Sequence, residues 1–144
     1  MRRTFSMLTG LAVIVFFVRS SAAHLANPYA FLSAVYSYKL VTPPVGLFIA
    51  AVLPFFQASV TICLLFRFFV PAAHALASLM FFTFACAQAS VLFRGLNISC
   101  GCFGVAENNP ITAYSLMFTV TLGAACLASS YLASDLGETN TDRS

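Results

Sequence analysis

Tryptophan is absent from this sequence, and charge is scarce: Asp, Glu, Lys and Arg together make up 8% of 144 residues. A soluble domain of such length carries about three times that share. Histidine occurs twice, as His24 and His74, which leaves little for a zinc centre, where about four protein ligands are usual. No metal and no cofactor are expected. The seven basic residues are scattered, with no basic patch and no phosphate-cradling loop, so nucleic-acid binding has no footing. Serine-based triads, paired carboxylates and a haem ligand pattern are likewise missing.

What is present is apolar. Hydrophobic residues make up 60% of the chain, Phe alone occurs 16 times, and mean hydropathy is +0.92. The reading is an all-α, polytopic four-transmembrane-helix bundle, a single integral membrane domain over residues 1–134 with a polar flexible tail from 135 to 144. Its lipid-facing surface meets the bilayer directly. Four segments carry the fold, at about 7–23, 45–66, 72–93 and 111–132. The last three are each long enough to cross roughly 30 Å of hydrocarbon as helices.

The first segment follows Met1-Arg2-Arg3 and is interrupted by Arg19. It is either a retained helix whose Arg19 snorkels to the interface, or a secretory signal cleaved after Ser21-Ala22-Ala23. The absence of a turn signal through Ala26 favours the helix. Between it and the second span, Tyr29, Tyr36, Tyr38 and Lys39 suit the headgroup level, and a short amphipathic helix over about 29–39 is expected. Pro43-Pro44 open the second segment, and Pro54 inside it predicts a kink. Pro71 opens the third, which is rich in Ala and Ser and so suited to close helix packing. Asn108-Asn109-Pro110 supply a start signal for the fourth. Gln57 and Gln88 are intramembrane amides, which should face other helices because lipid offers no partner; one arrangement pairs them with each other. Cys63, Cys86 and Cys126 read as helix packing residues.

Four spans put both termini on one side. Arg2, Arg3, Arg67 and Arg143 then oppose Lys39 and Arg94, with Arg19 near the far interface, which by the positive-inside rule favours an internal N-terminus. The last connection therefore lies on the outer, periplasmic face of an inner (cytoplasmic) membrane. There sits Ser99-Cys100-Gly101-Cys102-Phe103-Gly104, a two-thiol unit in a polar break. Disulfides persist in such a compartment. A ring closed between cysteines two apart is strained and so easily reduced, and Gly101 permits the turn it requires. Thiol–disulfide exchange, a structural disulfide and metal binding all remain open. Arg94 and Arg19 read as interface anchors, with pairing to Glu107 as the alternative.

The run Arg94-Gly95-Leu96-Asn97-Ile98-Ser99-Cys100-Gly101-Cys102-Phe103-Gly104, after a small-residue-rich helix, resembles the methylamine-utilisation MauE family, grouped with DoxX-like integral membrane proteins. Asn27-Pro28-Tyr29-Ala30-Phe31, Tyr36-Ser37-Tyr38-Lys39-Leu40 and Leu53-Pro54-Phe55-Phe56-Gln57 extend the resemblance over about residues 5–133. It implies a four-helix bundle and a role in maturation, the family's founding substrate being the disulfide-rich small subunit of methylamine dehydrogenase. Carried over residue by residue, it makes Cys100 and Cys102 the redox pair, with Arg94, Gly95, Gly101, Phe103 and Gly104 shaping their loop. The implied partner is an exported protein substrate or thiol–disulfide partner, with a homo-oligomer also open. Family members often carry Lys at the end of the first helix and Glu after the second-helix proline. This chain has Ser20, Ser21 or His24 and Gln57 there. The resemblance is therefore not extended to proton-coupled or quinone-linked activity, nor to methylamine oxidation. The alternative to a thiol–disulfide or maturation factor is a non-enzymatic structural subunit or chaperone.

Overall fold

The computed structural model describes residues 2–96, 98 and 111–141, with side chains placed over 4–96, 98 and 111–134. The described residues form five helices, α1 (Arg2–Ala26), α2 (Pro28–Ser37), α3 (Pro43–Leu65), α4 (Val70–Phe93) and α5 (Ala113–Thr141). Four of them contain stretches long and apolar enough to cross a membrane: Thr4–Ala26, Pro43–Leu65, Val70–Phe93 and Ala113–Ser134. This is a polytopic four-transmembrane-helix bundle.

Prolines set the starts. Pro28, Pro43 and Pro71 each stand in the first turn of their helix, where a missing N–H costs nothing. At α5 a hydroxyl pair does this work. Ser115 N–H donates to Thr112 Oγ1 at 3.4 Å, and Thr112 N–H donates to Ser115 Oγ at 3.1 Å. This reciprocal cap starts the helix at Ala113, two residues after the expected 111. The Asn108-Asn109-Pro110 signal lies outside the described residues. At its other end α5 continues to Thr141, past the expected limit near 132. The expected interfacial helix is α2.

Between apolar helices in lipid, association rests on close packing and interhelical hydrogen bonds. The core is built of Val13 and Phe17 from α1, Val60 and Leu64 from α3, Ala73, Ala77, Met80 and Phe81 from α4, and Cys126 from α5. The first segment is thus integral to the bundle interior in this structure. Phe17 stacks on Phe81 with ring centroids 5.3 Å apart, and Phe16 meets the same ring edge-on at 5.3 Å. The α4–α5 seam is the tightest. A Cβ on Gly123 would lie 3.3 Å from the Phe81 Cβ, and Ser78 Oγ donates to the Gly123 carbonyl at 2.9 Å. Nearer the α3–α4 turn, Ser130 Oγ donates to the Pro71 carbonyl at 2.9 Å. Against this, α3 and α4 leave between them an apolar groove of about 250 Å³ that includes Phe48, Val52, Phe56 and Leu79.

Candidate functional site at the loop end of the bundle

Cys100, Gly101, Cys102, Phe103 and Gly104 lie outside the described residues, as does Glu107. The structure does describe the stems that carry them. Helix α4 ends at Arg94, and Gly95 follows in the left-handed region at φ +62°. Gly95 N–H donates to the Leu92 carbonyl at 3.2 Å, and Leu96 N–H donates to the Val91 carbonyl at 3.2 Å. The two bonds satisfy carbonyls that the helix end would otherwise orphan, and they need a residue tolerant of positive φ between them. Gly95 thus closes the C-terminal end of α4. On the return side, Ile111 N–H donates to the Ile98 carbonyl at 3.0 Å. Ile98 and Ile111 therefore lie side by side.

Arg94 is exposed, and its Nη1 donates to the Tyr38 carbonyl at 3.0 Å. Tyr38 closes α2, so the guanidinium ties the end of α4 to the α2–α3 connection. That connection is itself fixed by Tyr36, whose hydroxyl donates to the Pro43 carbonyl at 2.9 Å. The Tyr36 ring lies over Gly46, where an added Cβ would meet the ring carbon Cε1 at 2.5 Å. Glycine at 46 is what lets the ring seat.

The two intramembrane amides have different fates. Gln88 is buried in α4 and faces Thr119 of α5, whose Oγ1 stands 3.4 Å from Gln88 Oε1 and 2.9 Å from the Ser115 carbonyl. The single hydroxyl hydrogen is shared, leaning to the shorter contact. Gln57 is fully buried in α3, and neither its Nε2 nor its Oε1 has a hydrogen-bond partner among the described residues. The two amides therefore do not pair. A depth signal in the sequence points to the Gln88 contact: Gln88 and Thr119 are each about one and a half turns from the loop-side ends of antiparallel helices.

Along the α1–α3 seam, Ser21 Oγ donates to the Pro54 carbonyl at 2.8 Å. Ser20 Oγ and His24 Nε2 are 3.1 Å apart, while His24 Nδ1 has no partner. The His24 ring stacks on Phe31 of α2 at 3.7 Å, which lays α2 across the end of α1. Cys63, Cys86 and Cys126 are free thiols on α3, α4 and α5, with Cys126 in the core and Cys86 exposed. Among the described residues no group of three or more His, Cys, Asp or Glu could hold a metal ion.

The model of the family described as methylamine utilisation protein MauE matches residues 2–132. The chain belongs to the MauE family. No match was found among curated proteins or solved structures. The MauE match takes in the first three membrane-spanning segments, nearly all of the fourth, α2 and the Cys100-Gly101-Cys102 run. Ser20, Ser21 and His24 end α1, and Ser21 reaches the carbonyl of the same Pro54 that Gln57 follows by one turn.

Proposed function

We propose that this multi-pass MauE-family protein is a thiol–disulfide or maturation factor that acts on an exported partner through Cys100 and Cys102. The observation that carries the reading is the pinned base of the connection holding both thiols, with the Ile98–Ile111 bond on one side and the Gly95 turn on the other. A short two-cysteine unit on a fixed stem suits exchange, because a partner thiol must approach one sulfur in line with the bond it breaks. On this reading the connection lies on the outer face of the inner membrane, where such a bond persists.

In the forward step a partner thiolate attacks one sulfur of the Cys100–Cys102 disulfide. That bond breaks, a mixed disulfide forms, and the released sulfur leaves as a thiolate that takes up a proton. A second partner thiolate then attacks the mixed disulfide. The partner gains a disulfide, and Cys100 and Cys102 are left as two thiols holding two electrons. Regeneration passes those electrons to an external oxidant. Arg94, Gly95, Gly101, Phe103 and Gly104 shape the loop, and Arg94 would favour the thiolate form where the loop folds back onto it. The family description names methylamine utilisation. The role proposed is maturation of a partner, not oxidation of the amine.

The test is to express Cys100→Ser and Cys102→Ser variants and trap mixed disulfides in intact cells. One variant should accumulate a covalent partner, and both should lose partner oxidation while the bundle stays folded. Full oxidation by both variants, with a stable partner complex that survives both substitutions, would make the protein a structural subunit or chaperone instead.

A further inference from the structure

The opposite end of the bundle, where α3 turns into α4, holds a second cavity that the cysteine chemistry does not use. It measures about 370 Å³ and is bounded by Ser6, Gly10 and Ile14 of α1, Leu65 and Arg67 at the turn, and His74 of α4. His74 is 1% exposed. Its Nδ1 lies 2.9 Å from the Val70 carbonyl, which can only accept, so Nδ1 carries the hydrogen. In the neutral ring Nε2 is then an acceptor, and it has no partner. It faces Gly10, where the position of a Cβ would be 3.6 Å away. A buried acceptor at membrane depth calls for a donor, and none comes from the described residues.

The mouth of this cavity is unusual in its backbone. Arg67 and Phe69 both adopt left-handed conformations, at φ +59° and +48°, which non-glycine residues seldom adopt without a local purpose. Phe66, Phe68 and Phe69 are exposed on either side of Arg67. Arg67, in the turn that ends one span and begins the next, suits headgroup depth. A guanidinium there matches phosphate, to which it can present two parallel donors. Leu11, Ile14 and Leu65 give the cavity apolar walls.

We propose that this cavity binds an anionic glycerophospholipid whose headgroup bears a free hydroxyl. The phosphodiester sits on Arg67, the headgroup hydroxyl donates to His74 Nε2, and an acyl chain lies along Leu11 and Leu65. The site is independent of Cys100 and Cys102.

The full chain, purified in mild detergent, is titrated with phosphatidylglycerol, phosphatidylcholine or phosphatidylmethanol, and retained lipid is counted by native mass spectrometry. Phosphatidylmethanol has the phosphodiester without the hydroxyl. Phosphatidylglycerol should be held best. Arg67→Gln should weaken it and phosphatidylmethanol alike, by about tenfold or more, as expected for a charge-assisted contact. His74→Phe should bring phosphatidylglycerol down to the phosphatidylmethanol level, a loss of roughly fivefold, and leave phosphatidylmethanol unchanged. Gly10→Leu, which fills the cavity and keeps both polar groups, should lower retention of both anionic lipids and carries the test if His74→Phe does not fold. Phosphatidylglycerol held no better than phosphatidylcholine, or unchanged by Arg67→Gln and Gly10→Leu, overturns the proposal. So does displacement of the lipid by glycerol 3-phosphate at equal concentration, which would make the ligand a soluble phosphate.

Discussion

The Ile111 amide donates to the Ile98 carbonyl across 3.0 Å, joining the two strands of chain that lead into and out of the two-cysteine segment. Only a backbone change can remove this bond. Ile111→Pro deletes the donor and also removes a buried side chain, 6% exposed, at a cost of about 2–4 kcal/mol of stability. The four spans should remain folded, while the yield of trapped mixed disulfide falls sharply; Ile111→Val should behave as the parent. Undiminished trapping in Ile111→Pro would show that the pinned base does not matter for exchange.

Gly95 stands in open space, with nothing within 4 Å of where a Cβ would project, yet its φ is +62°. Any penalty on Gly95→Ala is therefore conformational, roughly 1 kcal/mol for a left-handed alanine. Gly95→Asn should cost less, since asparagine tolerates that region. Thermal unfolding in detergent should rank the three proteins Gly, Asn, Ala in falling midpoint.

Gly46 poses the reverse case, because its limit is space. An added methyl would lie 2.5 Å from Tyr36 Cε1 and displace the ring that holds the Pro43 carbonyl. Gly46→Ala should destabilise by about 1–3 kcal/mol, as overpacking does. Pairing it with Tyr36→Ala should recover part of that loss. Purely additive losses in the double-mutant cycle would contradict the contact.

Gln57 has a fully buried amide with neither polar atom partnered. Removing such a group in favour of an apolar one of similar size is neutral or stabilising by about 1–2 kcal/mol. Gln57→Leu should therefore unfold at the same or a higher temperature. If partner oxidation falls while the midpoint rises, the amide is kept for function and not for the fold.

The spans were legible because so little interrupts them: no charge occurs between Leu40 and Phe66, and Pro43, Pro71 and Arg94 mark the ends. The short α2 announced itself through Pro28 and the tyrosines that follow. Side-chain partners were harder to read. Gln57 and Gln88 look alike in sequence, but one meets Thr119 and the other nothing, because register between helices depends on the small residues at each crossing. In α4, alanine and serine occur on every side, so periodicity does not say which of them faces the core. His74 gave only a single polar letter near a helix start. Its orphaned nitrogen follows from a hydrogen bond to Val70 and a glycine far away in the chain.

The bond from Arg94 to the Tyr38 carbonyl also bears on the order of assembly. Synthesis runs from the N-terminus, so the hairpin of α1 and α3 with its α2 crosspiece can be inserted before Arg94 leaves the ribosome. Arg94 then meets an acceptor already in place. The acceptor that anchors the thiol segment is thus laid down by the first half of the chain, ahead of the cysteines themselves.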